Sequence, residues 1–179
     1  MKLISLLRGI NVSGQKTVKM SDLKSLYQEI GFQNVITYIQ SGNVVFDSED
    51  KNSSSVKQKI QSAIESKYQF QVPVEIRSNQ ELLNMIEACP FNSIDLNVNG
   101  TKVLLTFLSD SPPKKNVKEL MEYVVNPDQL VVKGKSVYLY CPNGYGKSKL
   151  SNNFLEKKLG VDATTRNWKT VQKLYELSS

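Results

Sequence analysis

The order in which strand and helix patterns follow one another constrains this chain most. Runs rich in β-branched and aromatic residues, "KLISLL" (2–7), "NVITYI" (34–39), "NVVF" (43–46) and "VPVEI" (72–76), read as strands. Between them apolar residues recur at helical spacing. Leu23, Leu26, Tyr27 and Ile30 fall at i, i+3, i+4 and i+7, with Gly31 following as a stop signal, and Val56, Ile60 and Ile64 mark a second helix. "QSGN" between the second and third strands has the residues of a hairpin turn. Ser78 and Glu81 have capping-box spacing ahead of a third helix through Leu82, Leu83 and Ile86. A connecting loop, "CPFNSIDLNVNG" (89–100), closes the series.

The series then begins again. "KVLLTFL" (102–108), "QLVV" (129–132), "SVYLYC" (136–141) and "VDATT" (161–165) read as strands. Val117, Leu120, Met121 and Val124 form one helical face. Leu150, Phe154, Leu155 and Leu159, closed by Gly160, form another, and Trp168, Val171, Leu174 and Tyr175 a third. The order βαββαβα therefore occurs twice, and "SGNVVF" parallels "KGKSVYLY". The expectation is an α+β fold with two ferredoxin-like (split βαβ) halves from an internal duplication, residues 1–88 and 101–179, joined by 89–100. One mixed sheet built from all the strands is the other arrangement this order allows.

In a split-βαβ half, strands one and two run the same way and strand three returns between them. The loop after strand one then meets the hairpin between strands two and three. Here that brings "RGINVSG" (8–14) beside "QSGN" (40–43), so Arg8, Asn11, Gln40, Ser41 and Asn43 would line one pocket. Gly9, Gly14 and Gly42 would let the backbone come close, and Arg8 offers a planar fork for carboxylate or phosphate. Turn chemistry alone also accounts for these glycines.

In the second half the stretch "CPNGYGKSKL" (141–150) stands where a strand gives way to a helix. A phosphate-binding P-loop reads G-x-x-x-x-G-K-[ST]. Counting back from Gly146-Lys147-Ser148, its first glycine should stand at position 141, which is Cys141 followed by Pro142, a residue without an N–H. The loop thus departs from the pattern of a nucleotide-hydrolysing P-loop, and a looser anion site stays open. The segment "TTRNWK" (164–169) should end at the same edge of the sheet. Lys147, Ser148, Lys149, Arg166 and Asn167 would then gather near two helix starts, whose open N–H groups suit anions. Tyr145 and Trp168 would offer flat faces to a base or sugar. The plainer account is two ordinary helix starts capped by Ser148 and Asn167, with Trp168 in the core.

Composition narrows the chemistry. Histidine is absent, which removes Ser-His-Asp and Cys-His catalysis. Two cysteines without histidine do not build the usual zinc shell, so no metal site and no cofactor are expected. Cys89 and Cys141 read as buried small hydrophobes in a reducing compartment. The apolar stretch in "MKLISLLRGINVSG" is short for a signal peptide and no run is long enough to span a bilayer, so a cytoplasmic protein without a membrane partner is expected. The net charge is +6, and residues 141–179 hold seven Lys and Arg against three Asp and Glu. Such a segment favours anionic partners, although a solvated lysine surface is the commoner case.

The blocks "LLRGINVSG", "YIQSGNVVF", "ACPF", "YGKSKLSNNFLEKKLG" and "ATTRNWKTVQKL" resemble the domain of unknown function 1697 family, nearly from end to end. That family's loop usually reads Gly-Arg/Lys-Ser-Lys-Leu, and Gly146–Leu150 fits it. The resemblance implies small bacterial proteins with two ferredoxin-like halves, and it lends no catalytic residues because no activity is established. Three readings follow. The first is a binding protein for an anionic ligand: a phosphate-containing small molecule, a nucleotide or nucleic acid. The second is an enzyme acting on a small phosphorylated metabolite through Arg8, Asn11 and Ser41 or through the Lys147 cluster, although no catalytic constellation is recognisable. The third is a structural module that self-associates as a homo-oligomer.

Overall fold

The structure, a computed structural model describing all 179 residues, divides into two compact units: Met1–Leu83 with Leu174–Ser179, and Asn84–Lys173. The fold is α+β, with two four-stranded antiparallel sheets and seven helices. No helix is long and apolar enough to cross a membrane.

The first sheet contains β1 (Lys2–Leu7), β2 (Gln33–Tyr38), β3 (Asn43–Asp47) and β4 (Val74–Ser78), in the order β2-β3-β1-β4. Alternation along β1 decides which residues enter its core, because successive side chains point to opposite faces. Leu3 and Leu7 join Val44, Phe46, Val74 and Ile76 on the face covered by α1 (Met20–Glu29) and α2 (Ser53–Tyr68). The helices answer with the stripes their spacing predicts: Leu23, Leu26 and Tyr27 from α1, and Val56, Ile60 and Ile64 from α2. Asn52 caps α2 by accepting from the N–H groups of Ser54 and Ser55. Tyr27, Phe32 and Phe46 meet at centroid distances of 4.5 to 5.8 Å in tilted and edge-on contacts. The capping box is present at α3 (Asn79–Glu87): Ser78 N–H donates to Glu81 Oε2 at 2.7 Å and Glu81 N–H to Ser78 Oγ at 3.1 Å.

The second sheet contains β5 (Val103–Leu108), β6 (Gln129–Lys133), β7 (Ser136–Tyr140) and β8 (Ala163–Asn167), in the order β6-β7-β5-β8. Its core joins Leu104, Leu108, Val137, Leu139 and Ala163 to Leu120 of α5 (Lys114–Met121) and to Leu155 and Leu159 of α6 (Asn152–Leu159). A short helix, α4 (Leu96–Asn99), lies within the connecting loop, where no periodicity is legible because it makes a single turn. The last helix is α7 (Trp168–Ser178).

Two strands sit two residues later than their apolar runs suggest. β4 covers Val74–Ser78 rather than 72–76, and β8 covers Ala163–Asn167 rather than 161–165. Their pairing runs on to Leu3 opposite Ser78 and Leu104 opposite Asn167. Ladder hydrogen bonds are made by the backbone, so polar residues continue a strand as readily as apolar ones. Pro73, which has no N–H, delays the start of β4.

The core of the first unit holds one hydroxyl pair. Tyr27 is fully buried, and its Oη lies 2.8 Å from Ser5 Oγ. Burial pushes the Tyr27 phenol well above its usual value, while the Ser5 bond opposes the shift in part. Below about pH 10 the tyrosine is protonated both folded and unfolded. Above that the unfolded chain loses its proton first, so stability falls by about 1.4 kcal/mol per pH unit from this group alone. Tyr27→Phe should cost about 1 kcal/mol at neutral pH and flatten the alkaline fall by one proton. Urea titrations at pH 7.5 and 10.5 check this. An unchanged alkaline slope in the variant would mean that Tyr27 does not carry it.

Candidate functional site

In the first unit the loop after β1 does meet the hairpin between β2 and β3. Leu7 N–H donates to Gly42 O at 2.7 Å, and Asn11 Nδ2 donates to Gln40 O at 2.9 Å. Asn11 also brackets Val18, accepting from its N–H at 2.8 Å and donating to its carbonyl at 2.9 Å. Asn43 is fully buried and donates through Nδ2 to Tyr38 O and Ser41 Oγ, each at 3.0 Å. Arg8 is half-buried, and its backbone N–H donates to Pro73 O at 3.0 Å. The expected pocket lining is thus corrected for the two asparagines. Asn11 ties the loop to the hairpin and Asn43 ties the hairpin to itself, and amide protons spent in this way are not offered to a ligand.

The second unit corrects the reading of 141–150. No α-helix opens at Ser148. Tyr145–Lys147 make a single 3₁₀ turn, Ser148 returns to extended backbone, and Ser151 caps α6 by accepting from Phe154 N–H. The backbone N–H groups of Gly144, Lys147 and Ser148 donate to the loop's own carbonyls at Cys141, Gly144 and Tyr145. They are not free to cradle a phosphate, which is the physical form of the failed P-loop match. Cys141 is buried in the core beneath the loop, where burial raises its thiol pKa.

Ser148 points instead across the unit. Its Oγ donates to Asp128 Oδ2 at 2.6 Å and accepts from Leu150 N–H at 3.1 Å. This tie fixes the turn before β6 against the loop after β7, and between them lies a cleft of about 400 Å³. One wall is Tyr123, Val125, Asn126, Pro127 and Asp128; the other is Asn143, Gly144, Lys147, Ser148, Lys149 and Leu150. Lys147 and Lys149 are exposed, and neither is bridged to a carboxylate. Tyr123 is held by two neighbours: Lys158 Nζ lies 4.1 Å over its ring and donates to its hydroxyl at 2.9 Å, and Phe154 meets it edge-on at 5.3 Å.

The remaining expected residues lie elsewhere. Trp168 is 1% exposed and packed away, so it offers no face to a ligand. Tyr145 packs against the second core, where burial raises its phenol. Arg166 sits within β8 with Nη1 donating to Thr165 O at 3.0 Å, and burial pushes it down to about 10, still charged at neutral pH. Asn167 caps α7, accepting from Thr170 N–H at 2.9 Å. Of the second set, only Lys147, Ser148 and Lys149 line the cleft. The wall from Tyr123 to Asp128 is absent from the sequence-based site. Its signal was "NPD" (126–128), a turn tripeptide whose position opposite the lysine loop depends on how β6 pairs with β7.

No curated protein matches the chain. A solved structure of the conserved bacterial protein SP0830 from Streptococcus pneumoniae is similar, with a TM-score of 0.78 and 22% identity over 99% of this chain and 98% of that one. At that identity the likeness shows the fold. A family model described as "Protein of unknown function (DUF1697)" matches residues 1–138.

Proposed function

The chain belongs to the DUF1697 family of proteins of unknown function, and on that premise we propose that it binds a small phosphate-bearing anion in the cleft between residues 123–128 and 143–150. One observation carries the reading: two exposed lysines without carboxylate partners, Lys147 and Lys149, face a concave space of about 400 Å³. Volumes of about 300–1,000 Å³ are typical of small-ligand sites. A concave site of this kind favours a small molecule over a nucleic acid, which is tracked by an extended basic groove.

We read the two sheets as ferredoxin-like halves of one duplicated unit. The support is their matching order, in which β5 to β8 take the places of β1 to β4. The free, buried Cys89 and Cys141 fit a cytoplasmic setting.

The test is a calorimetric titration of pyrophosphate and ribose 5-phosphate at two salt concentrations. Lys147→Ala with Lys149→Ala should weaken binding by about tenfold or more, that is by at least about 1.4 kcal/mol, and flatten its salt dependence. Stability should move by less than about 0.5 kcal/mol, because both side chains are solvated. Equal binding by wild type and variant, or none by wild type, removes the proposal.

A further inference from the structure

Resting on the anion-binding reading above, we infer that the ligand of this cleft is a nucleoside 5′-monophosphate, with its phosphate at Lys147 and Lys149, its sugar or base donors at Asp128 and its base against Tyr123. Size gives the first argument. The cleft holds about 400 Å³, whereas a bare phosphate displaces only a few waters of about 30 Å³ each. An inorganic anion would leave most of the space wet, so the ligand carries a body as well as a charge.

Charge gives the second. Two lysines are set against one carboxylate, Asp128, on the facing wall. That balance suits a monophosphate and disfavours a polyphosphate, whose further charges would crowd the acid. Asp128 also sets polarity along the cleft. Its Oδ2 is taken by Ser148 Oγ, while Oδ1 is left for an outside donor. A carboxylate repels phosphate and accepts from hydroxyl or amine, so the neutral, donor-bearing end of the ligand belongs there.

The aromatic wall gives the third. Tyr123 is 42% exposed, and Val125 beside it is 61% exposed. Lys158 and Phe154 fix the orientation of the ring before any ligand arrives. A pre-set ring loses little entropy when a planar group stacks on it, and every base has a face that can do so.

The experiment titrates adenosine 5′-monophosphate, uridine 5′-monophosphate, adenosine 5′-triphosphate and ribose 5-phosphate into wild type, Tyr123→Ala, Tyr123→Leu and Asp128→Asn. Wild type should bind both monophosphates about tenfold or more tighter than ribose 5-phosphate. Both Tyr123 variants should bring the monophosphates down to the ribose 5-phosphate level and leave ribose 5-phosphate unchanged. The leucine variant keeps apolar volume at the site should the alanine variant lose structure. Asp128→Asn retains an acceptor for Ser148 and should narrow the preference for mono- over triphosphate. If ribose 5-phosphate binds as well as the nucleotides, or if Tyr123→Leu weakens all ligands alike, the nucleotide assignment is overturned while the anion site stands. If no phosphate compound binds wild type, the anion site falls and takes the assignment with it.

Discussion

Gly42→Ala should destabilise the protein by about 2–5 kcal/mol. Gly42 lies in the hairpin between β2 and β3 with φ at +84°, where a non-glycine residue is strained by about 1–2 kcal/mol. An added Cβ would also stand 2.7 Å from Leu7 Cβ and 2.7 Å from Ile10 Cδ1. Leu7 is fully buried in β1 and its Cβ has no room to yield, so overpacking adds about 1–3 kcal/mol. Gly14 is the control. It has a similar φ of +72° with nothing within 4 Å of the added carbon, so Gly14→Ala should show the strain alone. Denaturant midpoints at constant m-value read the difference. Equal costs at the two positions would show that close approach at Gly42 is not what requires glycine. The expected result also bears on function, because the conformation of this hairpin is explained by packing on Leu7 and Ile10 and needs no ligand.

Glu75→Ala should cost about 3–5 kcal/mol, the usual penalty for removing one partner of a buried ion pair. The Glu75 carboxylate accepts from Lys57 Nζ at 2.9 Å and from Arg77 Nη1 at 3.2 Å. The side chains of Glu75 and Arg77 are only 7% and 8% exposed, against 29% for Lys57, so solvent hardly screens the inner contact. Arg77 donates as well to Ile76 O at 2.7 Å, which anchors the guanidinium but does not neutralise it. Replacing both Glu75 and Arg77 by leucine should recover much of the loss, since two charges are then no longer desolvated. Chemical unfolding of Glu75→Leu, Arg77→Leu and the double leucine variant forms the cycle. A Glu75→Ala protein within about 1 kcal/mol of wild type would mean that water reaches the pair.

These two expectations differ in how far the sequence foretells them. The hairpin glycine is legible in "QSGN", because turn residues report local backbone geometry. The burial of Glu75 and Arg77 is not, because "VEIR" has the alternation of a strand with one wet face. Polar residues at alternate positions usually meet solvent, and only the surrounding structure reveals that these do not. The candidate site shows the same division. Lys147, Ser148 and Lys149 stand out as a glycine–lysine–serine loop, whereas Asp128 and Tyr123 come from the connection between α5 and β6 and carry no motif that points to the loop.

Local patterns by themselves determined the presence and order of the eight strands and of the helices longer than one turn, though not the bounds of β4, β8 and α6, and also the capping box at Ser78 and the failure of the P-loop at Cys141 and Pro142. Each depends on residues within a few positions of one another, where periodicity, turn chemistry and the missing N–H of proline act directly. The tertiary structure alone decided which polar groups are spent. Asn11 and Asn43 bind carbonyls, Trp168 is packed away, Ser148 turns to Asp128 instead of capping a helix, and Lys147 and Lys149 are left facing a cleft. The reason is physical: a polar side chain takes whichever partner the packing of distant segments brings within about 3 Å, and sequence spacing does not encode that distance.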